Sequence, residues 1–249
     1  MSSPDGTTQA RPEPGRAVRR GRPRKGSEQL SRPAIVQATL TAIDALGVQA
    51  VSMRTVAATL RVDAKSLYNH VDGKDGLLDA VAEHLLGTIT IPQRAGDTRQ
   101  DLRAIAYAFR NSALAHPEAA TLVLTRQLSS PTALAPTEAV LQVLGAAGFS
   151  AEESVSLLRM LVATLTGTLL RELQADATFG AIHSTADRQA RLENSGLPAV
   201  ARAAARIARF DRDAEFEFTV NAAIDAVLIR HPHRDRAGRA VRGTAPGGG

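Results

Sequence analysis

The chain has 249 residues, 44% of them hydrophobic but only 3% aromatic, with no Trp, so its core must be built from Ala, Leu and Val, a composition that favours packed helices over sheet. The absence of cysteine removes disulfides, thiolate metal sites and cysteine nucleophiles. A hydrophilic N-terminus without an apolar h-region gives no signal peptide, and no run of 18 apolar residues suggests a membrane span, so a cytosolic protein is expected. The net charge of +5 is concentrated at the ends: residues 1–26 hold seven Arg/Lys against two acids, and residues 231–249 hold four Arg against one Asp.

Residues 1–30 are rich in Pro, Gly, Ser, Thr and Arg and lack apolar periodicity, as in a disordered arm. Within them, Arg19-Arg20-Gly21-Arg22-Pro23-Arg24-Lys25 resembles an AT-hook, whose flat Gly-Arg-Pro core lies in a narrow minor groove, with Arg20, Arg22 and Arg24 as its contacts. The alternative is a solubilising basic tail. Ser31 and Pro33 start a first helix, with Ile35, Thr39, Ala42, Ile43 and Leu46 as its buried stripe and Gly47 as its stop. Val48 and Val51 then lead to Ser52–His70, which reads as a helix-turn-helix. Ser52 caps its first helix, and Val56, Ala57 and Leu60 share a stripe. Arg61-Val62-Asp63 form the turn, and Leu67 and Val71 point inward from the second helix. After the Asp72-Gly73 turn, a helix opening at Lys74 or Asp75 carries Leu77, Leu78, Val81, Leu85 and Ile89 until Pro92.

The remainder is predicted to be helical over about 98–115, 118–129, 133–147, 151–174, 197–209 and 212–230, with 175–196 a polar loop and 231–249 a basic, Gly-rich tail. The longest helix has Ser150 and Glu153 as a capping box and Leu158, Leu161, Val162, Leu165 and Leu169 on one face. The last offers Phe216, Val220, Ala223, Ile224, Val227 and Leu228. Two long apolar helices near the chain end suggest a bundle completed by another subunit. The organisation expected is a basic arm (1–30), a helix-turn-helix domain (31–75), a helical effector and dimerisation domain (76–230) and a tail (231–249).

With these residues in hand, the chain resembles the tetracycline-repressor family of one-component regulators. The N-terminal match is Leu46-Gly47, Val51-Ser52-Met53-Arg54-Thr55-Val56-Ala57, Val62, Ser66-Leu67-Tyr68-Asn69-His70-Val71, Lys74 and Leu77-Leu78. A looser match to the subgroup of the tetracycline repressor itself runs through Phe109-Arg110, Ala113-Leu114, His116 and Gly148-Phe149-Ser150. The resemblance implies an all-α homodimer whose long eighth and last helices form the interface, here through Leu158, Leu161, Leu165, Leu169, Val220, Ile224 and Val227. It also implies a small-molecule cavity in each C-terminal domain and release from operator DNA on effector binding. A two-fold dimer in turn predicts a palindromic operator with half-sites about 34–36 Å apart, or a multiple of that.

For DNA, Tyr68, Lys74 and Ser52 with the following amides fit phosphate contacts. Arg54 can reach the backbone or a guanine edge, and Ala64, Lys65, Ser66, Asn69 and His70 are candidates for base edges, with Lys65 to guanine and Asn69 to adenine the most selective. The competing readings are a packed core aromatic for Tyr68 and a solvated charge for Lys65. For the effector, Phe109, Arg110, His116, Arg126, Gln127 and Thr164 are the polar or aromatic candidates, with His116 alternatively serving only a helix end. The tetracycline repressor ligates its drug's magnesium through a histidine on the sixth helix, and the matching register here holds Val123, which argues for an effector other than magnesium-tetracycline. The six His are scattered, and no metal-spaced cluster, nucleophile elbow, P-loop or dinucleotide fingerprint occurs, so neither catalysis nor a cofactor is expected. The alternative function is an architectural protein that binds AT-rich DNA mainly through its basic arm.

Overall fold

The structure, a computed structural model, describes residues 30–126, 130–174 and 184–230; Arg20, Arg22, Arg24, Gln127 and the C-terminal tail lie outside the described residues. Among the described residues the regular structure is helical throughout, without strands. α1 spans Arg32–Leu46, α2 Met53–Leu60, α3 Ala64–Leu67, α4 Gly73–Gly87, α5 Thr98–Ala115 and α6 Pro117–Thr125. α7 spans Pro131–Ala146, α8 Ala151–Leu173, α9 Thr185–Glu193, α10 Pro198–Ile207 and α11 Arg212–Arg230.

Local chemistry sets most helix starts. The Ser31, Ser52 and Ser130 hydroxyls each accept from a backbone amide three residues on, and Ser150 with Glu153 completes a reciprocal capping box at the head of α8. Gly47, at φ 78°, ends α1 and returns its amide to the Ile43 carbonyl at 2.7 Å. Leu46 was expected on the buried stripe but is exposed: it is the last residue of α1, where the chain turns away. α4 stops at Gly87, short of Pro92, where the β-branched run Thr88-Ile89-Thr90-Ile91 begins and Thr88 Oγ1 donates to the Leu85 carbonyl at 2.7 Å.

Ile35, Ile43, Val51, Val56, Leu67, Leu77 and Val81 are fully buried and knit α1 to α4 into one N-terminal helical unit. α4 continues into the body, packing on α6 and α7. Its C-terminal end approaches α7 so closely that a Cβ on Gly87 would lie 2.7 Å from Thr132 Cγ2. The second core joins α5, α7, α8 and α11 through Leu102, Ile105, Leu144, Leu157, Leu169, Phe216, Ile224 and Val227.

Two further expectations differ from the structure. Residues 175–196 are not loop throughout, because α9 occupies Thr185–Glu193. It buries none of its residues, so it left no apolar period to read, and it is held by the Ser184/Asp187 capping box and a Gln189–Glu193 hydrogen bond of 2.7 Å. Leu169, Val220, Ile224 and Val227, assigned to a subunit interface, are buried within a single chain, where α8 packs on α11; Leu158, Leu161 and Leu165, expected at the same interface, are half-buried. The faces that α8 and α11 present outward carry Val162, Phe218 and Ile229 instead, the last two 72% and 70% exposed. α8 is also long and apolar enough by length and composition to cross a membrane, yet it lies against α7 and α11.

Candidate functional site

The helix-turn-helix turns on Arg61, which adopts the left-handed conformation (φ 56°, ψ 40°) where helices commonly place glycine. Its amide returns to the Ala58 carbonyl at 3.2 Å and that of Val62 to the Ala57 carbonyl at 3.0 Å, which closes α2. Asp63 then caps α3, its carboxylate accepting from the Lys65 amide at 2.7 Å. With Leu67 and Val71 buried beneath, Lys65, Tyr68, Asn69 and His70 face solvent, while Ala64 and Ser66 are half-buried beside them. Tyr68 is 58% exposed, so the packed-core alternative fails and its ring and hydroxyl stand on the outer surface. Arg54 is exposed on α2, and Ser52 is occupied as the cap, with Oγ 3.1 Å from the Thr55 amide. Lys74 Nζ donates to the Gln49 carbonyl at 3.2 Å, which fixes its ammonium at the junction of the α1–α2 connection and the head of α4.

The second site is a cavity of about 450 Å³ bounded by α5, α6, α7 and α8 and by Leu86 from the last turn of α4. Phe109, Val123, Leu124, Leu134, Val140, Leu158 and Val162 make most of its wall, with Thr125, Arg126, Thr137 and Thr166 as its polar groups. That volume and an apolar lining with few polar groups suit a drug-sized organic molecule. Val123 faces this space, so the departure from the magnesium-ligating histidine falls inside the cavity.

The effector candidates separate. Phe109 and Arg126 line the cavity. Arg126 also reaches α4, with Nη2 donating to Asp75 Oδ1 at 3.0 Å and Nη1 to Asp79. Burial lowers the pKa of its guanidinium, but the hydrogen bonds to Asp79 and Asp75 outweigh this and raise it overall, so it is always charged. Arg110 is not part of the wall. It makes a forked pair with Glu172 (Nε–Oε2 2.9 Å, Nη2–Oε1 2.5 Å), a bond of 2.6 Å to Asp213, and lies 4.6 Å above the Phe216 ring. These contacts, the Glu172 hydrogen bond foremost, raise its pKa against the opposing effect of burial. It therefore pins α5 to α8 and α11.

His116 is also displaced from the cavity, its Nδ1 lying 3.0 Å from Asp44 of α1. Thr164 lines a separate apolar gap of about 70 Å³ between α5, α8 and α11, and its hydroxyl is satisfied by the Met160 carbonyl at 2.9 Å. Sequence reasoning missed Asp75 and Asp79. Two acids at i, i+4 on one helix repel each other and so signal a cation between them, but nothing local identifies it as Arg126.

An exposed helix-turn-helix surface joined through one helix to an apolar cavity fits a one-component transcriptional regulator. Residues 92–229 match the family model described as the tetracyclin repressor-like C-terminal domain, and the chain belongs to the tetracycline-repressor family. It is 30% identical over 202 residues to the class A tetracycline repressor from transposon 1721 of Escherichia coli, covering 79% of this chain and 89% of that protein. It is 40% identical over 132 residues to an HTH-type transcriptional regulator of Saccharopolyspora erythraea, covering 51% of this chain and 56% of the relative. The solved structure of apo ActR from Streptomyces coelicolor superimposes with a TM-score of 0.71 at 25% identity, over 82% of this chain and 98% of that one.

Proposed function

We propose that the chain is a homodimeric, cytoplasmic repressor that leaves a palindromic operator when a small organic molecule fills the cavity. One helix supports this reading most directly. α4 starts beside Lys74 at the edge of the recognition surface, and its last turn supplies Leu86 to the cavity wall. At 1.5 Å per residue, a displacement at one end of so short a rigid rod is carried to the other. ActR, similar in fold, was crystallised with actinorhodin, a precedent for a ligand within this architecture.

On this reading Tyr68, Lys74 and the Ser52 cap region hold phosphates. Lys65, Asn69, His70, Ser66 and Ala64 meet base edges, Arg54 meets either, and the arm with Arg20, Arg22 and Arg24 follows the neighbouring minor groove. Phe109 and Arg126 contact the effector. A second copy covers the exposed Phe218 and Ile229 of α11, which share a stripe eleven residues apart.

Selection of duplexes from a random pool by the full chain, followed by footprinting, tests the reading. A two-fold-symmetric site lost in the Tyr68→Ala/Lys74→Ala double variant is expected. AT-rich binding without a palindrome, unchanged in that variant, would favour the architectural alternative.

A further inference from the structure

Among the described residues, the cavity between α5, α6, α7 and α8 has one charged group on its wall, Arg126; the other polar side chains there, Thr125, Thr137 and Thr166, are neutral, and no carboxylate is among them. The same guanidinium is the clamp on α4. Besides its bonds to the Asp75 and Asp79 carboxylates, Nη1 donates to the Asp75 carbonyl at 3.3 Å. One cation facing two carboxylates leaves the cluster one negative charge in excess. A neutral ligand gains nothing from disturbing it. The Asp75 and Asp79 carboxylates are 90% and 47% exposed while the Arg126 side chain is 22% exposed, so water can take over either aspartate as a ligand anion replaces it on the guanidinium from the cavity side. Asp75 directly follows Lys74, so the clamp sits one residue from the proposed phosphate contact.

We propose that the effector is an apolar molecule carrying one acidic group, a carboxylate, sulfonate or acidic phenol, and that Arg126 recognises this group by exchanging Asp75 and Asp79 for it, which unclamps the head of α4. The proposal rests on reading the cavity as the effector site. It assigns Arg126 two mutually exclusive partner sets, and so makes the ligand's charge, beyond its fit, the signal.

Two fluorescent probes with the same aromatic body test it on the full-length protein: anionic 8-anilinonaphthalene-1-sulfonate and neutral N-phenyl-1-naphthylamine. Arg126→Gln should weaken the sulfonate at least about tenfold, the scale of a hydrogen bond to a charged group, and leave the neutral probe within about twofold. Arg126→Lys should recover part of the loss. Asp79→Asn should act in the opposite direction and tighten the sulfonate about threefold or more, because a competing anion is gone; a merely structural role for the clamp would give no such gain. The sulfonate should also release the wild-type protein from its selected duplex, and fail to release Arg126→Gln.

Equal loss of both probes in Arg126→Gln, an unchanged sulfonate affinity, no gain in Asp79→Asn, or no sulfonate binding to the wild type would each overturn the proposal. If Arg126→Gln does not melt cooperatively, Arg126→Lys and Asp79→Asn decide. Should no duplex be selected, the repressor reading fails while the probe titrations still decide the charge preference.

Discussion

Arg110 and Glu172 allow a sharp separation of structural from ligand-binding roles. Glu172 is 3% exposed at its side chain and meets both faces of the Arg110 fork, whereas Asp213, the other anion on Arg110, is 88% exposed. Glu172→Leu therefore leaves a largely buried guanidinium with one solvated partner and the Phe216 ring. Breaking a buried pair from one side costs about 3–5 kcal/mol, and the remaining partners reduce this to about 2–4 kcal/mol. Arg110→Met strands the buried carboxylate at a similar cost. In the double variant Arg110→Met/Glu172→Leu no buried charge is orphaned, Asp213 returns to water, and the net cost should fall to about 0–1 kcal/mol. Urea unfolding followed by helical circular dichroism, at one fixed protomer concentration, measures all four corners of the cycle, with unchanged slopes required for the comparison. Single variants within about 0.5 kcal/mol of wild type, or a double variant costing the sum of the two, would refute this account of the pair.

Arg61→Gly should raise stability by about 0.5–1 kcal/mol, since the left-handed backbone strains any side chain more than glycine's added freedom in the unfolded chain costs; thermal melting reads it. Lys74→Met should weaken binding to every duplex alike and reduce the slope of log K against log salt by about 0.9 per protomer, while Tyr68→Ala weakens binding with stability unchanged within about 0.5 kcal/mol, as its exposure requires; filter binding across salt concentrations and a melt check both. On the proposed two-fold interface, Phe218→Asp removes a burial of about 1.5–3 kcal/mol twice over, so dimerisation is expected to weaken by about 10²–10⁴-fold by sedimentation equilibrium.

What the sequence disclosed follows physical range. The Ser31, Ser52 and Ser150/Glu153 caps were legible because donor and acceptor lie within one turn, and Leu67 and Val71 because helical periodicity places them inward. Periodicity also marked Val220, Ile224 and Val227 as a buried face. It carries no information about which partner buries that face, and the partner is α8 of the same chain. Arg110 was visible as a charged residue on an apolar helix, but its partners lie 62 and 103 residues away, so a structural pin looked like a ligand contact. Arg126 and Asp79, 47 residues apart, were separated in the same way, which hid the link between cavity and reading head.

The coupling of that cavity to DNA is tested most directly by measuring 8-anilinonaphthalene-1-sulfonate affinity with and without saturating selected duplex, and duplex affinity with and without saturating sulfonate. Each should weaken the other by the same factor, at least about fivefold, because the two equilibria share one pair of conformers. Both ligands bound together at full strength, with neither affinity changed by the other, would contradict it.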